Sequence, residues 1–139
     1  MNELKYKHQV MNLMKGRGFS VQAHEDSISN YIPDLSFGFN GIDGWVELKY
    51  ADKLPKSLNA IHHYTHGQQD WLTQRGKRGS GHCYLLVGTP HYHYLWRWDV
   101  LKDIRLMPWE SAATLAVSVD DIGDLIRRLA SVLKRWGGY

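Results

Sequence analysis

The stretch from Ile32 to Tyr50, IPDLSFGFNGIDGWVELKY, decides how this chain folds. It reads as two short strands turned back on each other. Asn40-Gly41 is the turn signal, because both residues tolerate the positive φ of a tight type I′ hairpin. Strand alternation then sets the faces. On the first strand Leu35, Phe37 and Phe39 share one face, and Ile32, Asp34 and Ser36 the other. On the second, Val46, Leu48 and Tyr50 oppose Trp45, Glu47 and Lys49. With a two-residue loop, Phe39 faces Ile42 and Asp34 faces Glu47. Facing Cβ atoms lie ~4.5–5.5 Å apart, where two like charges repel. A divalent cation between them reverses the sign. Lys49, on the same face, can orient a water or neutralise a phosphate. A four-residue loop instead puts Asp34 opposite Lys49, and still keeps all three groups on one face.

Pro33-Asp34, a hairpin and then Glu47-Leu48-Lys49 resemble the signature of the PD-(D/E)xK nuclease superfamily, whose members share a restriction-endonuclease-like fold. The resemblance implies that Asp34 and Glu47 bind Mg²⁺, with Mn²⁺ able to substitute, and that the Leu48 carbonyl adds a ligand. It implies that Lys49 assists the attacking water. Many members of the superfamily carry a further Glu on the first helix. Glu3 matches that position, and Glu25 or Asp26 can stand in for it, although their polar loop reads first as a solvated turn. Thr65-x-x-Gln68-x-x-Trp71-Leu72 resembles the helix after the catalytic hairpin in the branch that includes VRR-NUC domains and phage or archaeal Holliday-junction resolvases. There the resemblance implies that Gln68 points at the active site or the nucleic-acid backbone, and that Trp71 packs into the core.

Composition fits this reading without carrying it. The 139 residues are 43% hydrophobic, enough for one soluble domain with a core. A net charge of +3 and a pI near 9.0 are compatible with DNA as partner. The lone Cys83 excludes an intramolecular disulfide and fits a reducing compartment. No apolar run approaches the ~20 residues of a membrane span. Neither a signal peptide nor an internal repeat is visible, and a cytoplasmic protein is expected.

Along the chain, residues 1–15 read as an amphipathic helix with Tyr6, Val10, Leu13 and Met14 on one side, ended by Gly16-Arg17-Gly18. Phe19 to His24 reads as the first strand. After the hairpin, Lys53 and Lys56 are candidate phosphate contacts. The spacing predicts a helix over 59–75, with Gly67 inside it. His62 and His66, four apart, have metal-ligand spacing on such a helix, but a zinc site lacks further ligands and exposed histidines are the plainer account. Gln74 to Gly81, QRGKRGSG, reads as a mobile basic loop in which Arg75, Lys77 and Arg78 can meet phosphates. Cys83 to Val87 reads as a buried strand parallel to its neighbour. His91 to Trp98 reads as a strand with Tyr92, Tyr94, Trp96 and Trp98 on one face, more a core or dimer-interface stripe than a base-stacking one. Asp99 to Leu106 suggests a short helical turn, and 109–119 gives no clear pattern. Ser118 reads as the N-cap of a last helix whose apolar face runs from Ile122 to Trp136, with Arg127, Arg128, Lys134 and Arg135 outside it.

The expected fold is α/β: an αβββαβ core of restriction-endonuclease type over residues 1–98, a mixed sheet flanked by helices, and a C-terminal helical extension over 99–139 in one domain. The expected activity is metal-dependent hydrolysis of DNA phosphodiesters, with branched DNA a candidate substrate and a homodimer a candidate assembly. The rivals are a nucleic-acid-binding module on the same fold with idle chemistry, and a structural protein whose hairpin charges form an ion network around Lys49.

Overall fold

A computed structural model describes residues 1–25 and 31–137, the side chains of 136 and 137 excepted. Asp26 and the side chain of Trp136 therefore lie outside the described residues. The first helix, α1 (Glu3–Gly16), is capped by Asn2, whose side chain accepts the Lys5 N–H at 2.9 Å. Tyr6, Val10 and Met14 are its buried residues, and Gly18 takes the left-handed conformation that turns the chain out of it. Then come β1 (Ser20–Ala23), β2 (Leu35–Phe39) and β3 (Ile42–Tyr50). Asn40 and Gly41 both have positive φ, 52° and 80°, and Phe39 faces Ile42. The two-residue I′ hairpin is the register adopted.

A 3-10 turn (Leu58–Ala60) leads to α2 (His66–Arg78), followed by β4 (Cys83–Gly88) and β5 (His93–Arg97). The chain continues through α3 (Trp98–Ile104), α4 (Trp109–Ala113), β6 (Ser118–Asp120) and α5 (Ile122–Gly137). The six strands form one sheet in sequence order. Every neighbouring pair is antiparallel except β3 and β4, which the helical crossover through α2 makes parallel. Alternation on β3 and β4 divides the core. Val46, Leu48, Tyr84 and Leu86 pack against α1 and α5. Cys83, Leu85 and Val87 pack with Leu72, Leu101, Ile104 and Trp109 on the α2–α4 side. The sheet is thus mixed and covered on both faces. No described helix is long and apolar enough to cross a membrane.

Several expectations are corrected. The helix expected over 59–75 begins only at His66, because Thr65 and Gln68 form a reciprocal capping box there. Gly67 then falls in the first turn, and His62 is not on the helix, so the His62/His66 metal spacing dissolves. The basic loop expected from Gln74 is helical through Arg78. Gly76 permits this, since a Cβ there would run into the Trp98 indole packed on α2. The turn proper is Gly79-Ser80-Gly81. The aromatic strand ends at Arg97, leaving Tyr92 and Trp98 outside it, while Tyr94 and Trp96 are core residues as expected. Ser118 belongs to edge strand β6, and Asp121 is the cap of α5, accepting the Asp124 N–H at 2.9 Å.

The α2–α4 side contains a buried guanidinium. Arg105 is 6% exposed and donates to Asn59 Oδ1 at 3.0 Å, Gln69 Oε1 at 2.9 Å and the Tyr64 carbonyl at 2.9 Å. Its guanidinium also lies 4.8 Å from the Tyr64 ring centre. These bonds tie the 59–64 segment to α2 and α3. Arg105→Ala leaves the Tyr64 carbonyl without this donor, while Gln69 Oε1 keeps the Tyr64 hydroxyl at 3.1 Å, and should cost about 1–3 kcal/mol of stability, read from the urea midpoint.

Candidate active site

β3 carries Glu47 and Lys49 toward the α2 side of the sheet, although the strand around them is core. Both residues are nearly sealed, at 3% and 2% exposure. The Lys49 ammonium sits 3.1 Å from Glu47 Oε2 and donates to the His63 carbonyl at 3.0 Å. His63 presents that carbonyl from a left-handed backbone, φ 62°. Such a conformation is uncommon in a residue other than glycine and persists where the surroundings hold it.

Asp34 lies one residue before the β2 ladder, whose register ends at Leu35 facing Val46. Its Oδ2 accepts the Leu48 N–H at 2.8 Å. In an extended strand the N–H and C=O of one residue project to the same edge. The Leu48 carbonyl therefore points to the same edge as Asp34. Continuing the register brings Pro33 opposite Leu48, and proline has no N–H to offer that carbonyl. The Pro-Asp pair thus ends the ladder where an acceptor and a carboxylate converge.

Glu47 is electrostatically poised. Burial foremost, and then the Asp34 carboxylate, push its carboxyl from the ordinary 4.5 up to about 8, against the pull of Lys49. Sealed from water and beside the Asp34 carboxylate, the Glu47 carboxyl favours its proton unless a cation takes that place.

A cleft of about 590 Å³ opens over this group, with Glu3, Ile32 and Tyr31 on one side and His63, Thr65 and Gln68 on the other. The helix N-terminus thus brings Glu3 to the site. Glu25 is exposed and does not line the cleft. Gln68 lines it, but its amide oxygen is engaged by the Thr65 N–H at 3.1 Å. Trp71 is half-buried and packs against the edge of the core as expected, while Leu72 is the fully buried residue of the pair. Arg75, Lys77 and Arg78 are exposed on the last turns of α2, and Lys53 and Lys56 are exposed after β3; none of the five lines this cleft.

Among the described residues no three His, Cys, Asp or Glu side chains gather as a metal-holding group. Asp34 and Glu47 offer two carboxylates, and other donors would be backbone, water or phosphate oxygens. That set fits Mg²⁺, which is commonly held by one or two carboxylates and keeps several waters. The residues the sequence reading missed are His63 and Tyr31, both with positive φ. No local motif announces a left-handed histidine or tyrosine.

No protein-family model matches the chain, and no curated protein matches its sequence. The structure of Hjc, a Holliday junction resolvase from the archaeal hyperthermophile Archaeoglobus fulgidus, is similar to it. The TM-score is 0.64 over 88% of this chain and 98% of that one, at 16% identity. The chain therefore shares the fold of that resolvase, a restriction-endonuclease-like one. The likeness covers more than residues 1–98 can supply, so it reaches into the C-terminal third expected to lie outside it.

The raised carboxyl of Glu47 has a signed consequence. The folded state favours the proton, so this contribution to stability is complete below 4.5 and is lost as pH rises through about 8. Thermal melts in EDTA should show wild type losing up to about 1.4 kcal/mol per pH unit across that window relative to Glu47→Gln. Mg²⁺ added at pH 8 should raise the wild-type melting temperature and leave that of Glu47→Gln unchanged.

Proposed function

We propose that this chain, a restriction-endonuclease-like fold, is a metal-dependent endonuclease that hydrolyses DNA phosphodiesters, with branched DNA as the favoured substrate. The observation that carries the reading is the sealed Glu47 carboxyl beside Asp34 and Lys49 on the wall of a cleft. A protein has little reason to bury one carboxyl beside a second unless a cation is to join them.

Asp34, Glu47 and the Leu48 carbonyl would hold Mg²⁺, or Mn²⁺ in its place. When bound, the ion supplies a water of lowered pKa and positive charge against the phosphate. Lys49 is held by Glu47 and by the His63 carbonyl, so its ammonium has a fixed position from which to orient the attacking water and offset charge on the phosphate. Gln68 spends its amide oxygen on the α2 cap, which leaves the NH₂ group to meet water or a phosphate oxygen. Glu3 lines the cleft and would be the further ligand. Arg75, Lys77 and Arg78, with Lys53 and Lys56, would contact the phosphate backbone on either side. DNA is thus the partner, and a homodimer is the assembly that delivers two cuts to one junction. The Hjc likeness supports this choice of substrate class.

The rival is a nucleic-acid-binding module without catalysis. In its favour, the Lys49 ammonium at 3.1 Å can neutralise Glu47 with no cation present. A four-way junction, a linear duplex and a single strand, each labelled and incubated with Mg²⁺, Mn²⁺ or EDTA, separate the two. Wild type should cut at least one of them only with metal. Glu47→Ala should abolish cutting, and Lys49→Met should slow it roughly 10²–10³-fold. DNA that is bound and never cut would give the rival the field.

A further inference from the structure

Beside the catalytic cleft, the outer face of α2 bears a second groove of about 500 Å³. Gly67, Asp70, Trp71, Gln74, Arg75 and Arg78 recur at helical spacing along it, and Tyr31 closes its end. Its volume falls within the ~300–1,000 Å³ range of ligand sites.

Four features are unusual for a mere surface furrow. Tyr31 is 43% exposed yet adopts φ 53°, a conformation in which aromatic residues are rare. Its ring lies so close over Gly67 that a Cβ there would collide with it. The Trp71 indole stands edge-on to Trp45, 4.9 Å between ring centres, and the Arg75 guanidinium lies 4.8 Å from the centre of the Trp71 ring and 5.4 Å from that of Trp45. Finally, Tyr31 lines both this groove and the catalytic cleft, so the two adjoin there.

We propose that the groove between Tyr31 and Trp71 receives an unstacked nucleobase of the DNA strand being cut, from a nucleotide next to the scissile phosphate. The proposal rests on the nuclease reading and adds its substrate class. The walls are planar aromatic surfaces that stack on any base. The rim carries two guanidiniums, Arg75 and Arg78, against one acid, Asp70, which suits a flat ring attached to a polyanion. A wholly apolar protein segment would leave those cations unused. Bases of intact duplex are stacked inward and cannot reach the groove. The enzyme therefore selects strands with unpaired or extruded bases: single strands, bubbles, flaps and branch points. Trp45 shares its β3 face with Glu47, two residues away, which keeps the aromatic cluster adjacent to the chemistry.

The test is binding in EDTA of a duplex with a two-base bubble, its fully paired counterpart, and the bubble with abasic sites in place of its bases. A 2-aminopurine scanned through the bubble reports stacking by loss of emission. Wild type, Trp71→Phe, Trp71→Ala and Tyr31→Ala are compared, with thermal melts to establish folding; Tyr31 is exposed, so its variant keeps the test open if Trp71→Ala unfolds. The bubble should bind ~10-fold tighter than the paired duplex, with the 2-aminopurine quenched at one position. Tyr31→Ala and Trp71→Ala should each lose ~5–50-fold of bubble affinity while paired-duplex affinity stays within about twofold, and Trp71→Phe should keep most of it. Equal binding of bubble and duplex, of abasic and intact bubble, or of variants and wild type on the bubble would overturn the proposal. Cutting in Mg²⁺ is measured on the same DNAs. Cutting without base dependence sinks the groove and spares the nuclease. Base-dependent binding without cutting sinks the nuclease and spares the groove as a binding site. Binding of no DNA at all overturns both.

Discussion

Glu47 and Lys49 are ionisable groups inside a strand whose other neighbours are core, and much of the α2 side of the molecule is arranged around tolerating them. A buried ion costs several kcal/mol unless geometry and hydrogen bonds offset it. The 3.1 Å contact between the two side chains supplies part of the offset. The His63 carbonyl supplies another part, and delivering it requires the left-handed φ of 62°. That strain has to be held by something rigid. Arg105 does so by bonding the Tyr64 carbonyl next door and Gln69 in buried contacts, and Asn59 at the edge of the network. The Thr65 capping box then starts α2 directly after this segment. Lys49, His63, Tyr64, Arg105 and the α2 terminus thus form one mechanical chain, and its free end is the ammonium in the cleft.

The hairpin turn imposes the second constraint. Because strand side chains alternate, a slip of one residue would carry Leu35 and Phe37 out of the core and bring Asp34 to the wrong face. Asn40-Gly41 forbids the slip by selecting a two-residue loop. Burial of Leu35 and Phe37 against α1 and α5 enforces the same register from the far side. Proline 33 then stops the ladder by lacking a donor, and the Asp34 side chain takes over the Leu48 N–H. Regular pairing ends where functional groups are wanted, and a fixed turn sets that end point from six residues away.

This explains what the sequence disclosed. The hairpin, the face shared by Asp34, Glu47 and Lys49, the parallel strand at Cys83 and the apolar face of α5 all follow from period-2 or period-3.6 patterning with strong local turn chemistry. The failures have a different physics. Residues 59–65 lie within reach of a helical pattern, but the capping box and the Arg105 network set the boundary, and the latter joins residues about 40 positions apart. Gln74-Arg-Gly-Lys-Arg looks like a loop because Gly76 lowers helix propensity. The Trp98 indole, which needs that bare backbone, is invisible until the fold brings it there. Ser118 is a good capping residue, but pairing with Leu95 claims it for the sheet and Asp121 caps instead. The Thr65–Gln68 capping box is a local signal that the helical pattern masked, while most misses are tertiary contacts overriding a local preference. The roles of His63 and Tyr31 belong to the same class, since strained backbone is a property of the assembled site.

The charge distribution argues for recognition by local shape. A net charge of +3 gives a weak overall attraction to a polyanion, and the long-range term falls quickly with salt. The cations near the cleft are concentrated on the last turns of α2, where Arg75, Lys77 and Arg78 also meet the negative end of the helix dipole. Part of their charge is thereby satisfied within the protein, and Arg75 is further held over two tryptophan rings. A nuclease of the kind proposed would gain little from general adhesion to duplex DNA. Its discrimination has to come from contacts that only some DNA structures can make. The surface that joins the catalytic cleft to the α2 groove, with Tyr31 as their common wall, is where such contacts would act.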